Sequence, residues 1–297
     1  MDTTHTFQLH DRLSKFIAAQ KSVLVAFSGG VDSALVLAVA ARELGPRCVA
    51  FTALSESLSP TELDDARQFA RELKVRHVVE ASNELNIEGY RSNSPNRCYF
   101  CKTELYSLAA KTQAELQLET ILDGCNLDDL SDHRPGRKAA SEHHVVSPLA
   151  ESGLSKADVR AISRLLGLST AEKPAFACLA SRIPYGTEVT PTRLRQVELC
   201  ENTLRNLGFR QFRARHHETM VRLELGADEI ERAMDPSRRR AIVEGCKGAG
   251  FRYVTIDLEG YRQGSLNTGT SEPVNHQQLP PRSITTENPV GHPRKIS

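Results

Sequence analysis

The sequence predicts an α/β fold in which a parallel sheet carries helices on both faces and a second, smaller α/β domain follows. Strand-like and helix-like segments alternate through the first 185 or so of the 297 residues, and this alternation is typical of parallel sheets. The chain is also long enough to form two domains with a substantial core. The alternation ends near Pro184 and Gly186, where we place the boundary between the two domains.

The larger predicted domain spans residues 1–185. Its strands are expected at Val23–Phe27, Cys48–Ala53, Val75–Val79, Thr120–Asp123 and, as a short fifth strand, Val145–Val146. Its helices are expected at Ser33–Leu44, Pro60–Leu73, Lys102–Leu116 and Lys156–Leu166. The second helix has a clear beginning, because Ser59 and Glu62 form a capping-box pattern around a proline at its first position.

The smaller predicted domain spans residues 186–265. Its helices are expected at Pro191–Leu207 and Ala227–Glu244, and its strands at Phe209–Arg215, Met220–Leu225 and Tyr253–Leu258. Residues 266–297 are rich in proline and small polar residues and poor in apolar ones. A segment of this composition buries too little apolar surface to offset its chain entropy, so we expect a disordered tail.

The turn after the first predicted strand is the most informative part of the chain. Gly29 and Gly30 allow the backbone to turn sharply and to present its N–H groups to an anion. The positive end of the following helix faces the same point. Ser28 and Ser33 add hydroxyl donors, and Asp32 is placed to hold a Mg²⁺ ion that bridges phosphates. The turn lacks the Gly-Lys-Ser/Thr sequence of a Walker A loop.

A second polar segment, residues 123–136, follows the fourth predicted strand. Asp123, Asn126 and Asp128 supply oxygen ligands of the kind that Mg²⁺ prefers. Ligands of parallel sheets bind at the carboxyl ends of the strands, where this segment would lie. Arg134 and its neighbours would then close over phosphate. A solvated acidic loop is the alternative interpretation.

Two cysteines lie three residues apart in a polar segment. Cys98 and Cys101 are expected in the first turn of a helix, where residues at this spacing share one face. We expect the helix start and the adjacent Arg97 and Lys102 to lower the pKa values of both thiols. A redox pair, an iron–sulfur site that gains one further cysteine, and a pair without function all remain open. A structural zinc site would need four ligands, and no second Cys-x-x-Cys exists.

Cys178 is the natural third cysteine. It lies just before the predicted domain boundary, in a segment that also contains Lys173 and Arg182. Either cation could stabilise its thiolate, although a lone cysteine among apolar residues is more often a packing residue. The remaining cysteines, in apolar or helical surroundings, are interpreted as packing residues: Cys48, Cys125, Cys200 and Cys246.

The composition excludes several classes of protein. The formal net charge of +1 provides no overall basic field for nucleic acid or an anionic membrane. No apolar run approaches the length of a membrane helix, and the amino terminus lacks the pattern of a signal peptide. Seven cysteines in such a chain indicate reduced thiols rather than a disulfide framework. We therefore expect a cytoplasmic protein.

The segment Ser28–Ser33 resembles the pyrophosphate loop of the N-type ATP pyrophosphatases, the PP-loop superfamily with a HUP-like fold. Together with Asn96–Lys102, Asp123–Gly136 and Pro174–Arg182, it makes the chain similar to the LarE-type ATP-dependent sulfur transferases. The resemblance extends from about Phe16 to about Asn267. It implies that ATP adenylates a carboxylate of pyridinium-3,5-biscarboxylic acid mononucleotide, and that sulfur then displaces AMP, during synthesis of the nickel-pincer nucleotide.

The resemblance also implies roles for particular residues. In one branch of the family the cysteine matching Cys178 gives up its own sulfur. In a three-cysteine branch, a [4Fe–4S] cluster on residues matching Cys98, Cys101 and Cys178 carries sulfide on its open iron, and we favour this form. Arg182, Arg213 and Arg215 would bind the anionic groups of the substrate, a small nucleotide. Members of the family assemble into trimers or hexamers.

Two other functions share the ATP loop. A tRNA-thiolating enzyme also combines it with cysteines or a cluster, although the near-zero net charge makes nucleic acid an unexpected partner. An amide-forming synthetase that uses ammonia would leave Cys178 without a role. Three glutamates either bind a metal at a subunit junction or form a charged solvent face: Glu198, Glu201 and Glu224.

Overall fold

Four short strands form a parallel sheet at the centre of the larger part of the molecule. The computed structural model describes residues 3–131, 135–174 and 178–262. The strands of this sheet are β1 (Val23–Ala26), β2 (Cys48–Leu54), β3 (Arg76–Ala81) and β4 (Thr120–Leu122). Their order is β3-β2-β1-β4, so β1 lies inside the sheet between β2 and β4. The predicted α/β class with a parallel sheet is confirmed.

Helices cover both faces of this sheet. Within the described residues they are α1 (Thr3–Ala18), α2 (Val31–Leu44), α3 (Pro60–Glu72), α4 (Glu88–Arg91), α5 (Arg97–Glu115), α6 (Asp128–Ser131), α7 (Pro135–Glu142), α8 (Pro148–Glu151) and α9 (Lys156–Leu165). Alternate residues of a strand point to opposite faces. Val23 and Val25 therefore pack with α1, α2 and α9, whereas Leu24 packs against α5.

A second, three-stranded sheet follows. Its strands β5 (Phe212–His217) and β6 (Met220–Leu225) are antiparallel, and β7 (Tyr253–Ile256) runs parallel to β6. The helices of this part are α10 (Pro191–Asn206), α11 (Ile230–Met234) and α12 (Pro236–Gly248). Its core also includes Tyr90 from α4 and Leu179 from the turn after Cys178. Segments that lie before residue 186 in the sequence thus help to build the core of the second sheet.

Several elements differ from the sequence prediction: α1 was not predicted, and β5 begins at Phe212 rather than at Phe209. The single helix expected at Ala227–Glu244 is interrupted before Pro236, because Asp235 caps a new helix and accepts the N–H groups of Ser237 and Arg238. The expected strand at residues 145–146 is only one parallel bridge, from Leu122 to Val146. The helix expected from Lys102 begins at Arg97.

Three further predictions concern the domain boundary, the carboxyl-terminal tail and membrane spans. Contacts group the chain up to Arg262 into one unit, and the domain boundary at residue 185 stays a prediction. The predicted disordered tail, residues 266–297, lies outside the described residues. None of the described helices combines the length and the apolar character that a membrane span requires.

Candidate nucleotide and sulfur-transfer site

The turn between β1 and α2 is held in shape by its own serines. The Ser28 backbone N–H donates to Ser33 Oγ over 3.3 Å, and the two hydroxyl oxygens lie 3.2 Å apart. Ser33 Oγ in turn donates to the Gly30 carbonyl oxygen over 3.2 Å. Gly29 has a φ of +75°, a conformation that a residue with a Cβ adopts only with strain. The N-terminus of α2 therefore follows directly on a preformed turn of the kind that binds phosphate.

The loop after β4 lies directly against this turn. A Cβ atom at Gly124 would lie only 2.7 Å from the backbone nitrogen of Ser33. Because the two backbones approach so closely, only glycine fits at this position without a shift. The predicted phosphate loop and the predicted acidic loop thus form one surface at the carboxyl ends of β1 and β4.

Asp32 joins three segments of the site. Asn126 Nδ2 donates to Asp32 Oδ1 over 3.2 Å, and the Lys156 ammonium group forms an ion pair with Asp32 Oδ2. The backbone N–H of Lys156 donates to Asp128 Oδ2 over 2.9 Å. The structure therefore brings the predicted residues Asp32, Asn126 and Asp128 together. It adds Lys156, which the sequence analysis did not single out.

The side chain of Asp123 fixes the conformation of the loop after β4. Its carboxylate is buried and accepts hydrogen bonds from the Tyr106 hydroxyl at 3.0 Å, the Ser147 hydroxyl at 2.8 Å and the Cys125 N–H at 3.1 Å. This set of donors fixes the carboxylate, so in this structure Asp123 positions the loop that carries Asn126. The predicted phosphate contact Arg134 lies outside the described residues.

The structure brings Cys178 within electrostatic range of Cys101, although their positions in the chain are far apart. Cys98 and Cys101 lie in the first turn of α5, the former exposed and the latter partly buried. Cys178 is exposed, and the N–H of the next residue, Leu179, donates to the carbonyl oxygen of Ser57 over 2.9 Å. Ser57 follows β2, so this contact holds Cys178 at the carboxyl ends of the strands. The thiol of Cys178 is near enough to Cys101 to raise its pKa.

The expectation of a lowered thiol pKa is wrong for Cys101. Burial raises its pKa well above the usual value, and the carboxylate of Glu84 and the thiol of Cys178 raise it further. Lys102 acts in the expected direction, but its effect is smaller. The free thiol therefore stays protonated at neutral pH, because the site that surrounds it is apolar and carries a carboxylate.

Arg97 is a buried cation next to the thiols. Only 4% of its surface is exposed, and its Nη1 donates to Asn93 Oδ1 at 2.6 Å and to the Ala180 carbonyl oxygen at 2.8 Å. Burial lowers its pKa, yet the pKa is raised overall because the thiols of Cys178 and Cys98 lie near the guanidinium. Within the described ranges, no group of three or more His, Cys, Asp or Glu side chains is arranged to hold a metal ion.

Arg182 is almost completely buried and is bound to Glu201. Its Nε and Nη2 donate to the two carboxylate oxygens of Glu201 at 2.7 and 3.0 Å. Its Nη1 donates to the carbonyl oxygen of Cys178 at 3.1 Å. Arg182, which the resemblance assigns to the substrate, thus links α10 to the backbone of the exposed cysteine.

The other two predicted arginines lie on β5 and are also buried. Arg215 Nη2 donates to Glu224 Oε2 over 2.8 Å, and its Nη1 donates to the Ser181 carbonyl oxygen over 2.9 Å. Burial lowers the pKa of Arg213 to about 10, and the nearby charge of Arg182 contributes in the same direction. The structure therefore groups these arginines in one buried cluster of positive charge.

The interpretation of the glutamates as a charged solvent face is wrong. All three are buried, and each pairs with an arginine: Glu198 with Arg195, Glu201 with Arg182, and Glu224 with Arg215 and Arg222. Glu224 lies opposite Arg213 of β5, on the face of β6 that the core residues Leu223 and Leu225 do not occupy. A metal at a subunit junction stays a prediction.

Comparison with known proteins agrees with this geometry. The family model described as asparagine synthase matches residues 8–90, which include the turn between β1 and α2. A protein of Lactiplantibacillus plantarum named pyridinium-3,5-bisthiocarboxylic acid mononucleotide synthase is 37% identical over 263 residues, or 87% of this chain and 95% of that protein. Two uncharacterised proteins also match. One, from Synechocystis, is 44% identical over 86% of this chain and 96% of its own length. The other, from Methanocaldococcus jannaschii, is 28% identical over 82% and 91%.

The parallel sheet, the preformed turn and the matching family model define a PP-loop domain, the ATP-binding domain of the N-type ATP pyrophosphatases. The identity to the Lactiplantibacillus synthase extends over nearly the whole of both chains. The chain belongs to the LarE-type family of ATP-dependent sulfur transferases.

Proposed function

We propose that this enzyme uses ATP to adenylate a carboxylate of pyridinium-3,5-biscarboxylic acid mononucleotide and then converts the activated group into a thiocarboxylate, a step in making the nickel-pincer nucleotide. The name of the Lactiplantibacillus relative describes the corresponding bisthiocarboxylic product. A carboxylate oxygen attacks the α-phosphorus of ATP, the bond to the bridging oxygen breaks, and pyrophosphate leaves. A sulfur nucleophile then attacks the acyl carbon, and AMP leaves with the electrons of the acyl–oxygen bond.

The observation that carries this proposal is the position of the thiols relative to the phosphate turn. The turn follows β1, Ser57 follows β2, Glu84 follows β3 and Asn126 follows β4, so all four segments lie at the carboxyl edge of one sheet. Leu179, the residue after Cys178, donates its N–H to the Ser57 carbonyl oxygen, and Cys101 lies beside Glu84. An acyl-adenylate formed at the turn would therefore be on the same edge of the sheet as the sulfur.

Asp32 and the arginine cluster have separate roles in this proposal. Asp32 would hold Mg²⁺, which takes oxygen ligands and keeps several waters. Its Oδ2 is paired with Lys156, so the ion would displace that ammonium group. Arg213 and Arg215 would attract the anionic groups of the substrate, and Arg182 would fix the Cys178 backbone beside them.

The sulfur would be carried by a [4Fe–4S] cluster on Cys98, Cys101 and Cys178. Two observations support this form: Cys178 is within electrostatic range of Cys101, and the buried Arg97 guanidinium would offset negative charge at Cys98 and Cys178. Binding would have to draw the three thiols together, because the described residues hold no group of three ligands already arranged around one ion. When bound, a cluster with three cysteine ligands offers sulfide an open position on its fourth iron. The alternative is that Cys178 gives up its own sulfur, forming a thioester and then dehydroalanine.

Anaerobic purification with iron and sulfide analysis, followed by intact-mass measurement after reaction, tests this proposal. The cluster form predicts about four iron and four sulfide per chain and repeated turnover. Loss of the mass of hydrogen sulfide from the chain, with a single turnover, would instead support Cys178 as the donor. Cys178→Ser should abolish thiocarboxylate formation and leave ATP–pyrophosphate exchange. Cys246→Ser, at a buried cysteine in the second core, is the matched control. Loss of exchange in Cys178→Ser would contradict the separation of the two steps.

We also propose that the chain assembles as a trimer or hexamer and works in the cytoplasm, as the family resemblance implies. Light scattering coupled to gel filtration would measure the assembly directly. A monomer at micromolar concentration would contradict this part of the proposal.

A further inference from the structure

Arg97, in the first turn of α5, holds a buried positive charge that has no carboxylate partner among the described residues. Only 4% of its surface is exposed, and its hydrogen bonds go to a side-chain amide oxygen and a backbone carbonyl oxygen. The buried arginines Arg182 and Arg215, by contrast, each form an ion pair with a glutamate. A buried charge normally has a partner of opposite sign, because removing a lone charge from water is costly. The unpaired charge of Arg97 therefore indicates a place for an anion.

Both hydrogen bonds of Arg97 come from one nitrogen atom. Nη1 donates to Asn93 Oδ1 over 2.6 Å and to the Ala180 carbonyl oxygen over 2.8 Å. In the described part of the chain, no group accepts a hydrogen bond from Nε or Nη2, and neither atom is sealed from solvent. Arg182 uses the same Nε and Nη2 edge to hold both carboxylate oxygens of Glu201. The corresponding edge of Arg97 is free for a bidentate bond to a carboxylate.

The side chain of Asn93 fixes the guanidinium group in place. Asn93 is completely buried, and its Nδ2 donates to the carbonyl oxygens of Ile183, Pro184 and Thr187 at 3.2, 2.7 and 3.0 Å. Because carbonyl oxygens only accept hydrogen bonds, the amide group has one possible orientation, with Oδ1 towards Arg97. The free edge of Arg97 is therefore held in position before any ligand binds.

Arg97 lies in the part of the site that carries the thiols. Cys98 is the next residue of α5, and Ala180, whose carbonyl oxygen Arg97 holds, follows Cys178 by two residues. Both cysteines are exposed. The ring of Tyr185 lies 6.0 Å from the guanidinium carbon, and this side chain is 37% exposed. A substrate that reaches the sulfur can therefore also reach Arg97.

We propose that Nε and Nη2 of Arg97 bind one carboxylate of the dicarboxylate substrate while the other carboxylate reacts. This inference rests on the proposed function and adds a substrate-binding residue to it. The pyridinium ring holds its two carboxylates rigidly, so binding one of them fixes the other relative to Cys178. The role is the same whether a cluster or Cys178 supplies the sulfur. Arg97 thereby selects dicarboxylate over monocarboxylate nucleotides, because a monocarboxylate leaves the buried guanidinium unpaired.

The test measures ATP–pyrophosphate exchange with pyridinium-3,5-biscarboxylic acid mononucleotide and with the analogue that carries only the 3-carboxylate. In wild-type protein the KM for the analogue should be at least about tenfold higher, the effect of losing hydrogen bonds between charged groups. Arg97→Met should raise the KM for the dicarboxylate and bring the ratio of the two KM values near one. Arg160→Met is the matched control, because Arg160 also donates to backbone carbonyl oxygens, those of Ala171 at 2.6 Å and Lys173 at 3.0 Å. It should keep the wild-type ratio.

A ratio near one in wild-type protein, or the wild-type ratio in Arg97→Met, would overturn the inference. A purely structural role would lower the stability of both arginine variants and change neither ratio. If Arg97→Met does not fold, Arg97→Lys decides, because it keeps the charge but lacks the planar fork. Its ratio should fall below that of wild type, and an unchanged ratio would overturn the inference. Wild-type protein without exchange on the dicarboxylate would refute the proposed function itself, which is a separate and recognisable result.

Discussion

Replacing Arg182 with methionine should destabilise the protein strongly, because the change leaves Glu201 as an uncompensated charge in the core. The two side chains are 1% and 3% exposed and form a bidentate pair. Removing one partner of a buried pair typically costs about 3–5 kcal/mol of the free energy of unfolding. In a chain of this size that loss corresponds to a fall in the thermal midpoint of about 10 °C.

A second substitution should recover much of this loss. Glu201→Gln removes the charge but keeps an oxygen for the Ala214 N–H, which Glu201 Oε1 accepts at 3.1 Å. The double variant Arg182→Met with Glu201→Gln should therefore be more stable than Arg182→Met alone. Lys21→Met is the control, because Lys21 and Glu119 form an exposed pair, and such pairs contribute only about 0–1 kcal/mol.

Urea unfolding followed by circular dichroism, at one pH and salt concentration, compares wild-type protein with Arg182→Met, the double variant and the control. The reasoning would be refuted if Arg182→Met lost less than about 1 kcal/mol of stability, the value typical of an exposed pair. Such a result, combined with a raised KM for the nucleotide substrate, would mean that the guanidinium serves the substrate and not Glu201.

Three further predictions concern the site. Gly124→Ala should weaken ATP binding at least tenfold and lower stability by about 1–3 kcal/mol, because its Cβ would press on the phosphate turn. Gly248→Ala, where a Cβ meets open space in a helix, should be neutral or slightly stabilising in the same calorimetry and unfolding assays. Lys156→Met should reduce several-fold the Mg²⁺ concentration that gives half-maximal ATP–pyrophosphate exchange, because a competing cation is gone. A higher requirement would show that the lysine holds phosphate. At pH 8, iodoacetamide should label Cys178 well before Cys101. The raised pKa of Cys101 keeps that thiol protonated until the pH rises much further. Peptide mass spectrometry of timed samples gives both rates, and equal rates would contradict the burial argument.

Local patterns were sufficient for most of the fold. The four strands of the first sheet and the capped helix at Pro60 lie within a residue or two of their expected bounds. The single helix expected over residues 227–244 was wrong. The apolar periodicity continues across Pro236, but the first helix ends before Asp235, which caps a second helix. The helix α1 was missed, although its buried residues Leu9, Leu13 and Ile17 are spaced as one helical face.

In the candidate site, too, some residues could be recognised from the sequence and others only from the fold. Ser28–Ser33 could be found from sequence because a phosphate turn is made by adjacent residues with fixed chemistry. Lys156 and Glu84 carry no such local signal, since a lysine and a glutamate are ordinary surface residues until the fold brings each to a partner. The pKa of the Cys101 thiol was mispredicted for the same reason. Its sequence neighbours are cationic, but burial and the carboxylate of Glu84 have the larger effect.

By itself, the sequence determined the class of fold, the phosphate turn and the cysteines that could carry sulfur, because each depends on residues close together in the chain. The tertiary structure alone decided which charges are buried and paired, so that Arg182 is bound to Glu201 and Arg215 to Glu224. The physical reason is that burial and electrostatic pairing depend on distances across the folded core, and residues far apart in sequence set those distances.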